Sequence, residues 1–86
     1  MANLGLFNIN TKHKYVKLSE IIGASLTSGT TYLMQLNSGA CHFCESATKP
    51  TNGGFIVDHT RPFTYTSNGT ELWVRTDYPT CINIAE

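Results

Sequence analysis

Charge of one sign is the first thing this sequence lacks: six Lys and Arg residues balance six Asp and Glu, so the formal net charge is zero. Without a basic field the main source of nucleic-acid affinity is absent, and nucleic acid is not an expected partner. Long hydrophobic runs are missing as well. No window approaches the roughly 18 consecutive apolar residues of a membrane-spanning helix, so no membrane partner is expected. Lys12, Lys14 and Lys17 fall in the first thirty residues, but no uninterrupted apolar stretch follows them. That is not the pattern of a secretory signal, and it points to synthesis in a cytoplasm. The dinucleotide G-x-G-x-x-G, the phosphate loop and H-E-x-x-H do not occur. The carboxylates Glu20, Glu45, Asp58, Glu71, Asp77 and Glu86 are scattered, without calcium-loop spacing. Cysteine is sparse and odd in number, three in all, which argues against a disulfide scaffold; Cys44 and Cys81 could pair only if their strands adjoin.

What is present suits strands. Charged residues make up 14% of the 86 positions, below the roughly 25% of an average soluble domain. Thr is the commonest residue, with twelve. Short β-branched and aromatic runs recur at Leu4 to Asn10, Tyr15 to Leu18, Thr31 to Asn37, Cys41 to Glu45, Phe55 to Val57, Phe63 to Thr66, Glu71 to Thr76 and Thr80 to Ile84. Between them stand Asn37-Ser38-Gly39, Lys49-Pro50-Thr51-Asn52-Gly53-Gly54, Asn68-Gly69 and Asp77-Tyr78-Pro79. In these turns Gly and Asn tolerate positive φ, and Pro presets φ. Leu18 to Gly23 reads as a single helical turn stopped by glycine. The expected fold is all-β: one small antiparallel sandwich or barrel over residues 1–86 with at most one short helical turn, residues 1–14 forming an extended N-terminal arm. Its expected core is Phe43, Phe55, Val57, Phe63, Tyr65, Leu72, Val74, Ile82 and Ile84. A chain of this length builds a thin core, so self-association is expected from size alone.

Asn68-Gly69 is the preferred two-residue loop of a type I′ hairpin, which fixes a register. Tyr65 would then face Leu72 and Phe63 would face Val74 on one side. Thr66–Glu71, Thr64–Trp73 and Pro62–Arg75 would share the other. This places Trp73 on the outer face, where it either covers a gap or anchors an interface or a sugar. The interface reading takes Trp73 as anchor, Glu71 and Arg75 as polar rim, and Thr64 opposite.

Cys41-His42-Phe43-Cys44 has the spacing of a zinc half-site, with Cys81, His59 and His13 as further ligands. A strand, however, sends residues three apart to opposite faces, so Cys41 is expected inward with Phe43, Cys44 and His42 outward, and no metal is expected. No helix follows to lower a thiol pKa for redox work. Asp58-His59, beside Thr60 and Arg61, is the sole acid–base pair adjacent in sequence, and adjacent residues rarely face each other. No catalytic residue and no cofactor is expected. Asn68-Gly69-Thr70 matches a glycosylation acceptor, but the turn demands the same residues. The Lys12-His13-Lys14 cluster with Lys17 reads as an edge strand protected by lysines, the alternative being an anion-binding patch.

Several segments together resemble small structural proteins of tailed bacteriophage virions: Leu18-Ser19-Glu20-Ile21-Ile22-Gly23, then Gly29-Thr30-Thr31-Tyr32 with Gln35-Leu36-Asn37. After these come Cys44-Glu45-Ser46-Ala47-Thr48-Lys49-Pro50, Gly54-Phe55, Phe63-Thr64-Tyr65 and Leu72-Trp73-Val74-Arg75. The likeness spans most of Leu18 to Ile84. It implies a non-enzymatic virion component, assembled in the host cytoplasm, that decorates or cements a capsid as a homo-oligomer bound to other virion proteins. A tail or head-fibre accessory role is the neighbouring implication. Two further readings stay open: a carbohydrate-binding module stacking sugars on Trp73 with Tyr65, Tyr78 or Tyr32, and a zinc-stapled interaction domain.

Overall fold

Alternating apolar and polar residues build a face on most strands, and two such faces pack to form the molecule. The computed structural model describes residues 3–86, the side chain of Asn3 excepted. In chain order the elements are β1 (Asn3–Ile9), β2 (Val16–Lys17), α1 (Leu18–Ile22), β3 (Thr31–Leu36), β4 (Ala40–Glu45), β5 (Phe55–Asp58), β6 (Phe63–Thr66), β7 (Leu72–Thr76) and β8 (Thr80–Ala85). They form two four-stranded antiparallel sheets, ordered β1-β8-β3-β6 and β2-β7-β4-β5. The fold is a small all-β sandwich.

Inward residues of both sheets meet in one cluster containing Ile9, Leu18, Tyr32, Met34, Leu36, Cys41, Phe43, Leu72, Val74, Ile82 and Ile84. Val57, Phe63 and Tyr65 pack against it partly buried. The rings of Phe43 and Phe63 meet across the sheets with centroids 5.1 Å apart. Phe55, expected in the core, is 81% exposed: β5 ends its sheet, so its core-side residues overhang the rim.

Consecutive strands mostly change sheets. Only β4 and β5 are both sequential and hydrogen-bonded to each other among the described strands. The hairpin expected at Asn68-Gly69 does not form. β6 pairs with β3, setting Tyr65 against Tyr32 and Thr64 against Leu33, while β7 lies in the other sheet between β2 and β4. A type I′ turn needs positive φ at both central residues, and here only Gly69 has it, at 90°. The Asn68 side chain instead accepts the Thr70 N–H at 2.9 Å, an Asx turn that steers the chain from one sheet to the other. Ser67 prolongs the β3–β6 ladder by donating to the Thr30 carbonyl at 3.0 Å. Ser46 prolongs the β4–β7 ladder by donating to Glu71 at 3.0 Å.

The N-terminal segment is no free arm, since β1 pairs with β8 along its length with one irregularity between Asn3 and Gly5; residues 1–2 lie outside the described residues. Of the lysines, Lys17 lies on an edge strand, β2, while Lys12 and Lys14 precede it outside any strand. Lys12 and His13 form a tight turn with φ of 54° and 67°, held by His13 N–H to the Thr76 carbonyl (3.1 Å) and by paired hydrogen bonds between Thr11 and Thr76, both buried. Helix α1 ends as its sequence predicts: Gly23 adopts φ 76° and returns its N–H to Ser19 at 2.9 Å.

Candidate functional site

Of the four residues expected to form an interface, Trp73 and Arg75 share the outer face of β7, Glu71 directly precedes that strand, and Thr64 lies on the other sheet. Trp73 lies on the outer face of its sheet, but opposite Cys44 and Lys17, not Thr64. Only 7% of it is exposed, because its own chain covers it: the indole N–H donates to the Ser46 carbonyl at 2.8 Å and the Lys17 ammonium sits 5.8 Å above the ring. Glu71 accepts hydrogen bonds from the Ser19 hydroxyl (2.5 Å) and the Ser19 N–H (3.4 Å), satisfying an orphan donor in the first turn of α1. Arg75, on the same outer face, lies between two neighbours, 5.5 Å from the Tyr15 ring centroid and with one guanidinium nitrogen 3.2 Å from both imidazole nitrogens of His42. Thr64 is exposed on the other sheet.

The segment between β4 and β5 is drawn over this face. Tyr15 donates its hydroxyl to the Gly53 carbonyl, and Gly54, at φ 97°, lies so close to β4 that a Cβ there would stand 2.7 Å from the Phe43 carbonyl oxygen. Burial pushes the Tyr15 hydroxyl pKa up, with Arg75 opposing that rise.

Chemistry-bearing groups are dispersed. Cys41 is buried in the core and Cys44 sits on the opposite face of β4, so the two sulfurs of the C-x-x-C cannot meet on one ion. Burial pushes the Cys41 thiol up to about 12. Cys44 and Cys81 belong to different sheets, and all three thiols are free. No group of three His, Cys, Asp or Glu side chains gathers among the described residues. Asp58 and His59 face different partners. The Asp58 carboxylate accepts the hydroxyl and N–H of Thr60, bonds that lower its pKa, while His59 Nδ1 lies 3.1 Å from the Gly39 carbonyl. Of the aromatic residues considered as a sugar platform, Trp73 and Tyr32 are buried and Tyr65 half-buried, leaving Tyr78 exposed by itself.

What the fold does bring together is an apolar groove. β5 ends one sheet and β6 ends the other on the same side of the sandwich, and between them lies a cavity of about 370 Å³ lined by Phe43, Phe55, Val57, Phe63, Tyr65 and Leu72, among others. Phe55 and Ile56 stand at its rim, 81% and 72% exposed. Burial, together with the nearby Glu45 carboxylate, pushes the Tyr65 hydroxyl pKa up. The sequence carried one sign of this site: Phe55-Ile56-Val57 is apolar on both faces of a short strand, which alternation toward a single core does not explain.

Compared with protein-family models, curated proteins and solved structures, the chain matches none of them. No helix among the described residues is long and apolar enough to cross a membrane.

Proposed function

We propose that this protein is a non-enzymatic structural module that assembles with other protein through the open β5–β6 side of its sandwich. The observation that carries the reading is the pair Phe55 and Ile56, both exposed on the two faces of an edge strand at the mouth of an apolar groove. Large apolar side chains exposed on an edge strand cost solubility unless a partner covers them, and edge strands are normally short, charged or shielded for that reason. β5 has an acidic residue only at its end, Asp58. The resemblance in sequence extends the proposal to a class of assembly: a component of a tailed-bacteriophage particle, decorating or cementing the capsid, where many identical sites let modest affinity per site suffice.

The test is incorporation. Purified virions carrying the wild-type chain should contain it in stoichiometric amounts, and Phe55→Asp, placed on an exposed position, should leave the fold intact and reduce incorporation at least tenfold. Absence of the wild-type protein from the particles would refute the virion reading. Undiminished incorporation of Phe55→Asp would refute this surface as the means of assembly.

A further inference from the structure

We propose that the occupant of the β5 edge is a second copy of this chain, joined by two-fold antiparallel β5–β5 pairing with Ile56 on the axis. The inference rests on the assembly reading and names its partner.

The backbone sets the geometry. β4 and β5 pair in a register in which Cys41 faces Val57 and Phe43 faces Phe55, and one step further His59 donates its N–H to the Gly39 carbonyl at 2.9 Å. In an antiparallel ladder, hydrogen-bonded and non-bonded pairs alternate, so odd-numbered residues of β5 point their N–H and C=O groups toward β4. Ile56 and Asp58 therefore point theirs away, at the open edge.

An incoming strand must use those groups. It must also keep both cores on one side, which requires odd-numbered residues to face odd-numbered residues. Pairing Ile56 with Ile56 of the second copy satisfies both conditions. It sets Phe55 against Val57 twice on the core side and Gly54, which has no side chain, against Asp58. Shifting the axis to Val57 would set Ile56 against the carboxylate of Asp58, and shifting it to Phe55 would set Ile56 against Gly54, leaving its side chain uncovered.

A second copy also explains why the edge stops at one partner. Gly53 and Gly54, at φ 84° and 97°, bend the chain away at one end of β5, and the Asp58–Thr60 hydrogen bonds turn it at the other. The strand offers one short register, and two-fold pairing consumes it in both copies and closes the assembly. The same rotation brings the two grooves together, with each Phe55 over the rim of its neighbour. An exposed aromatic of this size contributes roughly 150–200 Å² per copy. With Ile56 and the groove walls, the joint belongs to the small, weakly associating class of interfaces, below about 1,200 Å².

The experiment is cysteine cross-linking in full-length protein carrying Cys44→Ser and Cys81→Ser, alongside sedimentation of the wild type. Hydrogen-bonded antiparallel partners have Cα atoms about 5.5 Å apart, within disulfide reach. Ile56→Cys should oxidise to a covalent dimer, whereas Asp58→Cys, displaced along the strand from its own copy, should do so at least tenfold less. The wild type should sediment as a dimer at micromolar concentration. Phe55→Asp, with an unchanged circular dichroism spectrum, should weaken dimerisation at least about 30-fold. A wild-type monomer, or a dimer in which Ile56→Cys links no better than Asp58→Cys, overturns the proposal. If the wild type is monomeric while Phe55→Asp still loses incorporation into particles, the second-copy inference fails and the assembly reading stands. If the dimer forms as described but virions lack the protein, the virion reading fails and the dimer stands.

Discussion

Cys41 and Trp73 show how a side chain's surroundings decide what it does. The Cys41 thiol, ordinarily near 9.0, is pushed up to about 12 by burial in the core. In the unfolded chain it ionises near its ordinary value while in the folded chain it stays neutral. Above that pH the unfolded state therefore holds fewer protons, and stability falls as pH climbs from about 9 toward 12. Burial raises the Tyr15 and Tyr65 pKa values from 10.0, adding to the loss at higher pH. Urea midpoints measured between about pH 8 and 10 should decline in the wild type and decline less steeply in Cys41→Ala, whose stability is lower throughout. Trp73 is likewise enclosed by its own chain. Trp73→Ala should cost about 3 kcal/mol of unfolding free energy, from lost packing and the vacated Ser46 carbonyl. Trp73→Phe, which keeps one aromatic ring but loses part of the buried volume together with the N–H donor, should cost about 2 kcal/mol. Chemical denaturation of the two variants measures the difference. A Trp73→Ala protein of wild-type stability would contradict its enclosure.

At the scale of elements, position within a sheet governs local stability. β8, β3, β7 and β4 each have a hydrogen-bonded strand on both sides, whereas β1, β6, β2 and β5 have one. Opening a central strand breaks two ladders, opening an edge strand breaks one. Amide exchange should be slowest in β8, β3, β7 and β4, while the outward amides of Ile56 and Asp58 exchange fast in monomer. Raising the protein concentration should then slow Ile56 selectively if the β5 edges pair, which gives an independent reading of that contact by NMR. The turns illustrate a narrower rule. Asn37-Ser38-Gly39 and Asn68-Gly69 were legible as reversals from their residue types, yet each carries the chain into the opposite sheet, because a turn's chemistry specifies φ and local hydrogen bonds and leaves open which strand accepts the ladder.

For the whole molecule, sequence separation is the dominating feature. β1 pairs with β8, which closes nearly the full length of the chain, and β2 pairs with β7. Such closures cost entropy before any core contact repays it, so refolding should be slow for a chain of 86 residues, in the range of about milliseconds to seconds. Trp73, the single tryptophan, is enclosed only after β2, β4 and β7 have met, so its fluorescence in stopped-flow refolding reports that step. A microsecond phase carrying the full fluorescence change would show that this face forms locally instead. The sequence alone settled what is local: strands at their spacing, the glycine stop after Ile22, and the inward or outward sense of Cys41, Phe43 and Val74, because side-chain alternation follows from backbone geometry one residue at a time. Tertiary structure decided the rest. Whether β6 bonds to β7 or to β3, whether Phe55 reaches the core or overhangs its rim, and whether Trp73 meets solvent or the Ser46 carbonyl all depend on which distant strands lie alongside. That choice is made by burial summed over both sheets, a quantity no single segment contains.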